Sequence, residues 1–329
     1  MRDFSYEKAS STELAVSATQ RSKSSKFLGG GTNLLDLMRE DIEQPAHLVD
    51  VTGLSSSVEE TPDGGLLIGA AASNTSVAND ARVKTRYSFL SQAILHGASG
   101  QIRNMATVGG NLLQRTRCYY FYDKSCRCNK RERGAGCDAL EGFNRIHAIL
   151  GASPSCIATH PSDMAVALAA LEATVRLQGP EGEREIPFEK LHRLPAHTPD
   201  VETSLGPSEL ITAVILPSLP FAKRARYTKV RDRSSFAFAL VSVAAMIKLE
   251  GETVGDVRLA LGGVAHKPWR ALMAEKALLG APASEESFRL AAEMELAAAR
   301  GHGHNDFKIA LARNVIVETL LELTKETTR

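Results

Sequence analysis

Three consecutive glycines, Gly29 to Gly31, constrain the fold of this chain more than any other feature. Without Cβ atoms, this backbone can adopt positive φ and lie close against a ligand. A buried strand is predicted to end at Leu28, and apolar residues recur at helical spacing afterwards, so we expect a helix to begin near Thr32 or Asn33. A strand, a glycine loop and a helix start point backbone N–H groups at an anion, and a diphosphate is the natural ligand. A tight turn without a ligand is the alternative.

Several common catalytic motifs are absent from the sequence. No Gly-Lys-Ser/Thr follows the glycines and no Gly-x-Gly-x-x-Gly occurs, which argues against P-loop NTPases and ordinary Rossmann dehydrogenases. Neither Gly-x-Ser-x-Gly nor His-Glu-x-x-His is present, so hydrolysis has no support. We therefore assign no catalytic residue and expect the chemistry to belong to bound cofactors.

A second glycine-bearing segment, Thr107 to Asn111, follows in a later part of the chain. We predict a turn here, edged by Thr and Asn like the first. Two such turns can clasp one extended cofactor from two sides. An independent turn remains the alternative.

Length and charge limit the class of protein. The 329 residues predict two or three domains, and a net charge of +1 gives no electrostatic case for binding nucleic acid or a membrane. The N-terminus lacks the apolar stretch of a secretory signal. We expect either a cytoplasmic protein or a periplasmic one that is exported together with a partner subunit.

All five cysteines lie in one short part of the chain: Cys118, Cys126, Cys128, Cys137 and Cys156. Their odd number and the missing signal argue against a disulfide framework. The surrounding residues 115–156 are rich in aromatic and basic residues, so we predict an insertion that folds around something other than an apolar core. A positive collar around a thiolate-ligated metal cluster and a solvated basic loop are the two interpretations. Spacing alone leaves a [4Fe–4S] cluster and a Cys₄ zinc site equally open.

The apolar patterns divide the chain into three parts. Residues 1–53 and 54–220 read as two α/β units, and residues 221–329 read as an α+β unit with its own apolar faces. For the third part we predict strands at Arg226–Val230, Ala237–Leu249 and Val257–Leu261, followed by three helices.

Five segments in this order carry a family resemblance: Gly29–Asn33, Ala106–Asn111, Pro161–Asp163, Tyr227–Lys229 and Gly262–Arg270. Together they resemble the FAD-binding subunits of molybdenum hydroxylases, the family of xanthine dehydrogenase, aldehyde oxidoreductases and carbon monoxide dehydrogenase. The cysteine insertion is similar to that of bacterial periplasmic aldehyde oxidoreductases. The resemblance implies an α+β fold, in which a two-part α/β FAD-binding domain (PCMH-type) precedes a C-terminal domain of the CO dehydrogenase flavoprotein type.

The resemblance also implies which residues bind the cofactors. The FAD-binding residues would be Lys26, Phe27, Leu28, Gly29, Gly30, Gly31, Thr32, Asn33, Leu34, Thr107, Gly109, Gly110, Asn111, Asp163, Ile211 and Lys229. The ligands of a [4Fe–4S] cluster would be Cys118, Cys128, Cys137 and Cys156, and Cys126 would be a spare thiol. Asp163 would bind the sugar chain of the flavin, and Ile211 would line its ring system.

By the same resemblance, the partners would be a large molybdenum-cofactor subunit and a small subunit with two [2Fe–2S] clusters, in a heterotrimer that reduces an external electron acceptor. The rival interpretations are a stand-alone FAD oxidase of the vanillyl-alcohol oxidase type and a zinc-bearing interaction module.

Overall fold

The computed structural model describes residues 1–219 and 224–325. The predicted boundary after Pro220, and residues 221–223 and 326–329 of the predicted third part, lie outside the described residues. Three sheets organise the rest. Among the described helices, none combines the length and the apolarity that a membrane crossing requires.

The N-terminal sheet is parallel, with strand order β1-β3-β2. Its elements are β1 (Ser5–Lys8), α1 (Thr12–Gln20), β2 (Ser25–Leu28), α2 (Leu34–Arg39) and β3 (His47–Asp50). The predicted strand, glycine loop and helix are confirmed here. Asn33 stands at the N-cap position of α2, but its side chain does not cap the helix, because Asn33 Oδ1 accepts from Arg115 N at 2.8 Å.

The second sheet has five antiparallel strands in the order β4-β5-β8-β6-β7. The strands are β4 (Val58–Glu60), β5 (Leu66–Gly69), β6 (Thr174–Gly179), β7 (Gly182–Pro187) and β8 (Leu210–Leu216). The helices in this stretch are α3 (Asn74–Asn79), α4 (Ala81–Arg86), α5 (Ser88–His96), α6 (Gly100–Met105), α7 (Val108–Leu112), α8 (Tyr119–Tyr122) and α9 (Asp163–Ala170). Every residue of α9 is buried, and Ser162 caps this helix by accepting from Ala165 N.

The second glycine segment is not the turn that the sequence predicts. Residues Val108–Leu112 form the short helix α7, and Thr107 Oγ1 caps it by accepting from Gly110 N at 3.2 Å. The glycines serve close packing at this point, since a Cβ on Gly109 would lie 3.2 Å from Ala70 Cβ.

The C-terminal sheet is antiparallel, with strand order β12-β11-β10-β9, and three helices complete this part. Its elements are β9 (Ala225–Val230), β10 (Val241–Glu250), β11 (Thr253–Gly262), β12 (Trp269–Arg270), α10 (Leu272–Leu278), α11 (Glu285–Leu296) and α12 (Phe307–Lys325). The strand predicted from Ala237 begins only at Val241. Residues 237–240 are irregular. Phe236, directly before the predicted strand, has a positive φ of 50°, so the chain turns there instead of entering the sheet. The predicted α+β class is confirmed.

Candidate FAD cleft and cysteine cluster

The two glycine segments pack directly against each other. A Cβ on Gly30 would lie 1.7 Å from the carbonyl oxygen of Met105, and one on Gly29 would lie 2.6 Å from Thr107 Oγ1. Gly31 has a φ of 73°, where a side chain would be strained. The glycines thus let the loop between β2 and α2 close onto the connection between α6 and α7.

The glycine loop leaves its donors free. In the part of the chain that the structure describes, the backbone N–H groups of Gly29 to Asn33 meet no hydrogen-bond acceptor. The Nδ2 group of Asn33 is buried and also lacks a partner. A row of unsatisfied donors beside bare backbone fits the oxygens of a diphosphate.

A first cavity of about 280 Å³ opens on one side of this loop. It brings together most of the predicted FAD-binding residues, and Ile211 forms part of its wall from β8. The predicted residues that line it are Lys26, Phe27, Gly29, Gly30, Gly31, Thr32, Asn33, Leu34, Thr107, Gly109, Gly110 and Ile211. Leu28 lines neither this cavity nor the second one. The pairing of β6 with β8 shifts register at Thr212, the extra residue of β8 between Ile211 and Ala213. Such a β-bulge re-aims the neighbouring side chains.

A second cavity of about 750 Å³ lies on the other side of the loop. The glycine loop forms part of its wall too, and this cavity contains the predicted polar residues Asn111, Asp163 and Lys229. The irregular segment before β10 closes it with Phe236 and Phe238. The predicted site residues therefore divide between two cavities, so that Ile211 and Asp163 face different parts of any extended ligand that crosses the loop.

Asp163 is held by two side chains from β9. Tyr227 OH donates to its Oδ1 at 2.6 Å, and Lys229 Nζ donates to its Oδ2 at 2.8 Å. The Lys229 side chain is 1% exposed, so it is not the solvated lysine typical of a strand edge. Burial and the neighbouring Asp163 carboxylate raise the pKa of Tyr227 well above its usual value. An ionised carboxylate has about four lone-pair positions, so Asp163 can still accept from a ligand hydroxyl.

The four predicted cluster ligands meet in one place. Cys118, Cys128 and Cys156 are buried, and Cys137 is partly buried beside them. Phe121, Ala139 and Ile157 pack in the same group, so apolar side chains surround the four cysteines. Cys126 is not part of this group.

The thiols differ in their surroundings. Burial raises the pKa of Cys118 to about 12. The hydrogen bond from Cys156 lowers the pKa of Cys137 to about 6 and raises that of Cys156. His147 Nε2 lies 3.1 Å from Cys118 Sγ, and both residues are buried.

Among the described residues, no group of three or more His, Cys, Asp or Glu is arranged to hold a single metal ion. Ligands of one ion must converge on one point. A [4Fe–4S] cluster asks for a different arrangement, because each thiolate binds a separate iron at a corner of the cube. Four cysteines supply the number and kind of donors that such a cluster needs.

Acidic residues from distant parts of the chain neutralise the basic residues of the insertion. Arg115 donates to Glu43 at 2.7 Å and to Glu202 at 2.5 Å, and the buried Lys130 also pairs with Glu202. Burial disfavours the Glu202 carboxylate, but Lys130 and Arg115 outweigh it and lower the pKa of Glu202 to about 2. The predicted positive collar is therefore largely paired.

Sequence reasoning missed several residues that shape this region. Arg131 donates to the carbonyl oxygens of Tyr120, Phe121 and Cys126, and so fixes the loop between Cys118 and Cys128. Asn129 binds Gly134, Gly136 and Ser155, which ties the Cys137 loop to the Cys156 segment. The only sequence signal for these roles was the dense cluster of basic residues. The local sequence does not indicate which groups Arg131 and Asn129 hydrogen-bond.

Comparisons with known proteins agree with this architecture. A family model described as the FAD binding domain in molybdopterin dehydrogenase matches residues 2–219, and the CO dehydrogenase flavoprotein C-terminal domain matches residues 225–323. The chain belongs to the family of FAD-binding subunits of molybdenum hydroxylases. The resemblance seen in the sequence is confirmed at this level.

Particular relatives refine the comparison. The aldehyde oxidoreductase FAD-binding subunit PaoB from Escherichia coli is 50% identical over 325 residues, which is 98% of each chain. The glyceraldehyde dehydrogenase medium chain from Sulfolobus acidocaldarius is 29% identical over 84% of this chain and 82% of its own. A solved structure of carbon monoxide dehydrogenase from Hydrogenophaga pseudoflava has a TM-score of 0.76 at 24% identity, and the match covers 97% of this chain and 96% of that chain. This last likeness shows the fold.

Proposed function

We propose that this chain is the FAD-binding, electron-transferring subunit of a molybdenum-containing aldehyde oxidoreductase. The observation that carries the proposal is the 50% identity, over nearly the whole of both chains, to the FAD-binding subunit of an aldehyde oxidoreductase. The free N–H groups of the glycine loop and the cavities on either side support it. When bound, FAD accepts electrons singly and releases them in pairs, so it links one-electron centres to a two-electron acceptor.

In this proposal, each predicted residue has a task toward FAD. The glycine loop binds the diphosphate with its free main-chain donors. The amides of Val108 to Asn111 are already hydrogen-bonded to Ala72, Ala70 and Thr107, so the Thr107–Asn111 segment serves as the wall beside the loop. Asp163, oriented by Tyr227 and Lys229, accepts a hydrogen bond from the sugar chain. Ile211 excludes water from the cavity on the opposite side. All the predicted FAD-binding residues remain candidates under this scheme, with the least support for Leu28, which lines neither cavity.

The proposal includes the rest of the complex. A large molybdenum subunit would oxidise the aldehyde, a small subunit with two [2Fe–2S] clusters would deliver the electrons, and an external acceptor would remove them. The complex would be periplasmic if a partner carries the export signal, and cytoplasmic otherwise. We further propose domains at 1–53, 54–220 and 221–329, a division supported by one sheet in each part.

We also propose that Cys118, Cys128, Cys137 and Cys156 bind a [4Fe–4S] cluster in this chain. Their gathering in one buried group supports this, as does the position of Cys126 outside it. The matched experiment compares Cys137→Ser with Cys126→Ser in the purified complex. Iron should fall by about four atoms per complex in Cys137→Ser, one cube's worth, and stay unchanged in Cys126→Ser. Equal iron contents in both variants and in wild type would show that these cysteines do not bind a cluster.

An absorbance spectrum of the purified protein distinguishes the rival functions. Flavin bands on a broad iron–sulfur shoulder are expected, together with two co-purifying subunits. Flavin bands from a chain without partners would favour the stand-alone oxidase. A colourless chain that contains zinc would favour the interaction module.

A further inference from the structure

His147 faces the sulfur of a proposed cluster ligand. Its Nε2 lies 3.1 Å from Cys118 Sγ, and the residue is 1% exposed. The inference rests on the proposed function, because it assumes that Cys118 binds iron as a thiolate. His147 Nδ1 is buried and makes no hydrogen bond within the usual geometric limits, so the contact of Nε2 with Cys118 is the best-formed hydrogen bond of the ring.

The backbone of His147 is anchored from both sides. Its N–H donates to Asn144 O at 3.0 Å. Its carbonyl accepts from Asn305 Nδ2 at 3.2 Å and from Lys308 Nζ at 2.8 Å. Lys308 is fully buried at the start of α12, so the C-terminal part of the chain fixes where the ring stands.

The direction of the hydrogen bond follows from the ligand. A thiolate bound to iron has no proton and can only accept. If the ring proton sat on Nδ1, the lone pair of Nε2 would face a negative sulfur at 3.1 Å. A proton on Nε2 removes this repulsion, so Nε2–H donates to Cys118 Sγ.

We propose that His147 is a positioning residue that hydrogen-bonds Cys118 and thereby raises the reduction potential of the cluster. Reduction adds negative charge to the cluster and its sulfurs. A donor aimed at one sulfur therefore stabilises the reduced state more than the oxidised state, and hydrogen bonds to the sulfurs are among the features that set these potentials.

The test is a redox titration of the intact complex. It is monitored through the EPR signal of the cluster, which is identified as the signal that the Cys137→Ser variant lacks. His147→Leu should keep its iron and shift the reduction equilibrium about tenfold toward the oxidised cluster, which is about 59 mV for a one-electron couple. His147→Gln, which keeps a donor at nearly the same position, should stay close to wild type. His192→Leu is the matched control, because His192 is also buried but hydrogen-bonds Leu112 O. Equal potentials in all four proteins would overturn the proposal.

A second measurement avoids variants that fail to fold or lose iron. In pulsed EPR of the reduced wild-type complex with ¹⁵N-labelled histidine, a weak nitrogen coupling and an exchangeable proton are expected at the cluster. Their absence would overturn the role of His147 while leaving the cluster in place. If the wild-type complex lacks the EPR signal, the proposal of a cluster in this chain is contradicted, and not only the role of His147.

Discussion

At the glycine cleft, two chain segments meet through bare backbone, whereas at the cysteine cluster distant segments meet through charged side chains. Gly30 faces a main-chain carbonyl at a distance that admits no side chain. Around the cysteines, Glu202 reaches Arg115 and Lys130 from far along the chain. The cleft therefore depends on the absence of Cβ atoms at its glycines, and the cysteine region depends on paired charges, so different substitutions should damage each.

The largest effect is expected from Gly30→Ala, which tests the backbone contact. The added methyl would lie 1.7 Å from Met105 O, so one segment must move. We expect a loss of about 3 kcal/mol in the free energy of unfolding and loss of most bound FAD. Denaturant unfolding and FAD content measure both.

Gly100→Ala is the matched control for that substitution. A Cβ on Gly100 would meet nothing within 4 Å, so stability and FAD content should stay near wild type. If both glycine variants bind FAD equally well, the cleft does not depend on the bare backbone.

The second prediction concerns the charges near the cysteines. Glu202→Gln leaves Arg115 and the buried Lys130 without their shared carboxylate, so we expect a loss of about 3 kcal/mol at pH 7. Asp200→Asn removes only a pair with the exposed Arg133, and should cost less than about 1 kcal/mol. Equal losses in the two variants would contradict the importance of burial here.

The same carboxylate predicts a dependence on pH. The pKa of Glu202 is lowered to about 2 from an ordinary 4.5. Its contribution is therefore complete above the ordinary value and is lost as the pH falls from 4.5 toward 2. The stability of Glu202→Gln should fall less steeply over this interval than that of wild type, in urea unfolding at a series of pH values.

The smallest effect is expected from Tyr227→Phe, which removes one of the two donors to Asp163. A hydrogen bond to a charged group contributes about 2 kcal/mol, and FAD affinity should fall by less than about tenfold because Lys229 remains. Tyr87→Phe is the control, since Tyr87 OH donates to the carbonyl of Pro217 away from both cavities. Its FAD affinity should equal that of wild type in fluorescence titrations.

Local patterns predicted much of this structure, because they depend on neighbouring residues. The strand at Phe27, the glycine loop and the buried helix after Ser162 all follow from apolar spacing and caps, and the structure has them. The resemblance, rather than spacing, supplied the FAD residues and the four cysteine ligands.

The missed features depend on contacts between distant residues. The side chain of Asn33 is a good helix cap by propensity, but its Oδ1 accepts a hydrogen bond from the backbone N–H of Arg115 instead. The acids that neutralise the insertion, and the contact of His147 with Cys118, lie far away in sequence. The helix at Val108 formed despite two glycines, because Thr107 caps it and tertiary packing holds it.

The most direct test of the central claim is an experimental density map of the cofactor-loaded complex at the glycine loop. We expect the diphosphate of FAD within hydrogen-bonding distance of the amides of Gly29 to Asn33, with the rest of the cofactor reaching into the cavities on both sides. A map that shows FAD bound elsewhere on the chain, or a loaded complex with only solvent at this loop, would contradict it.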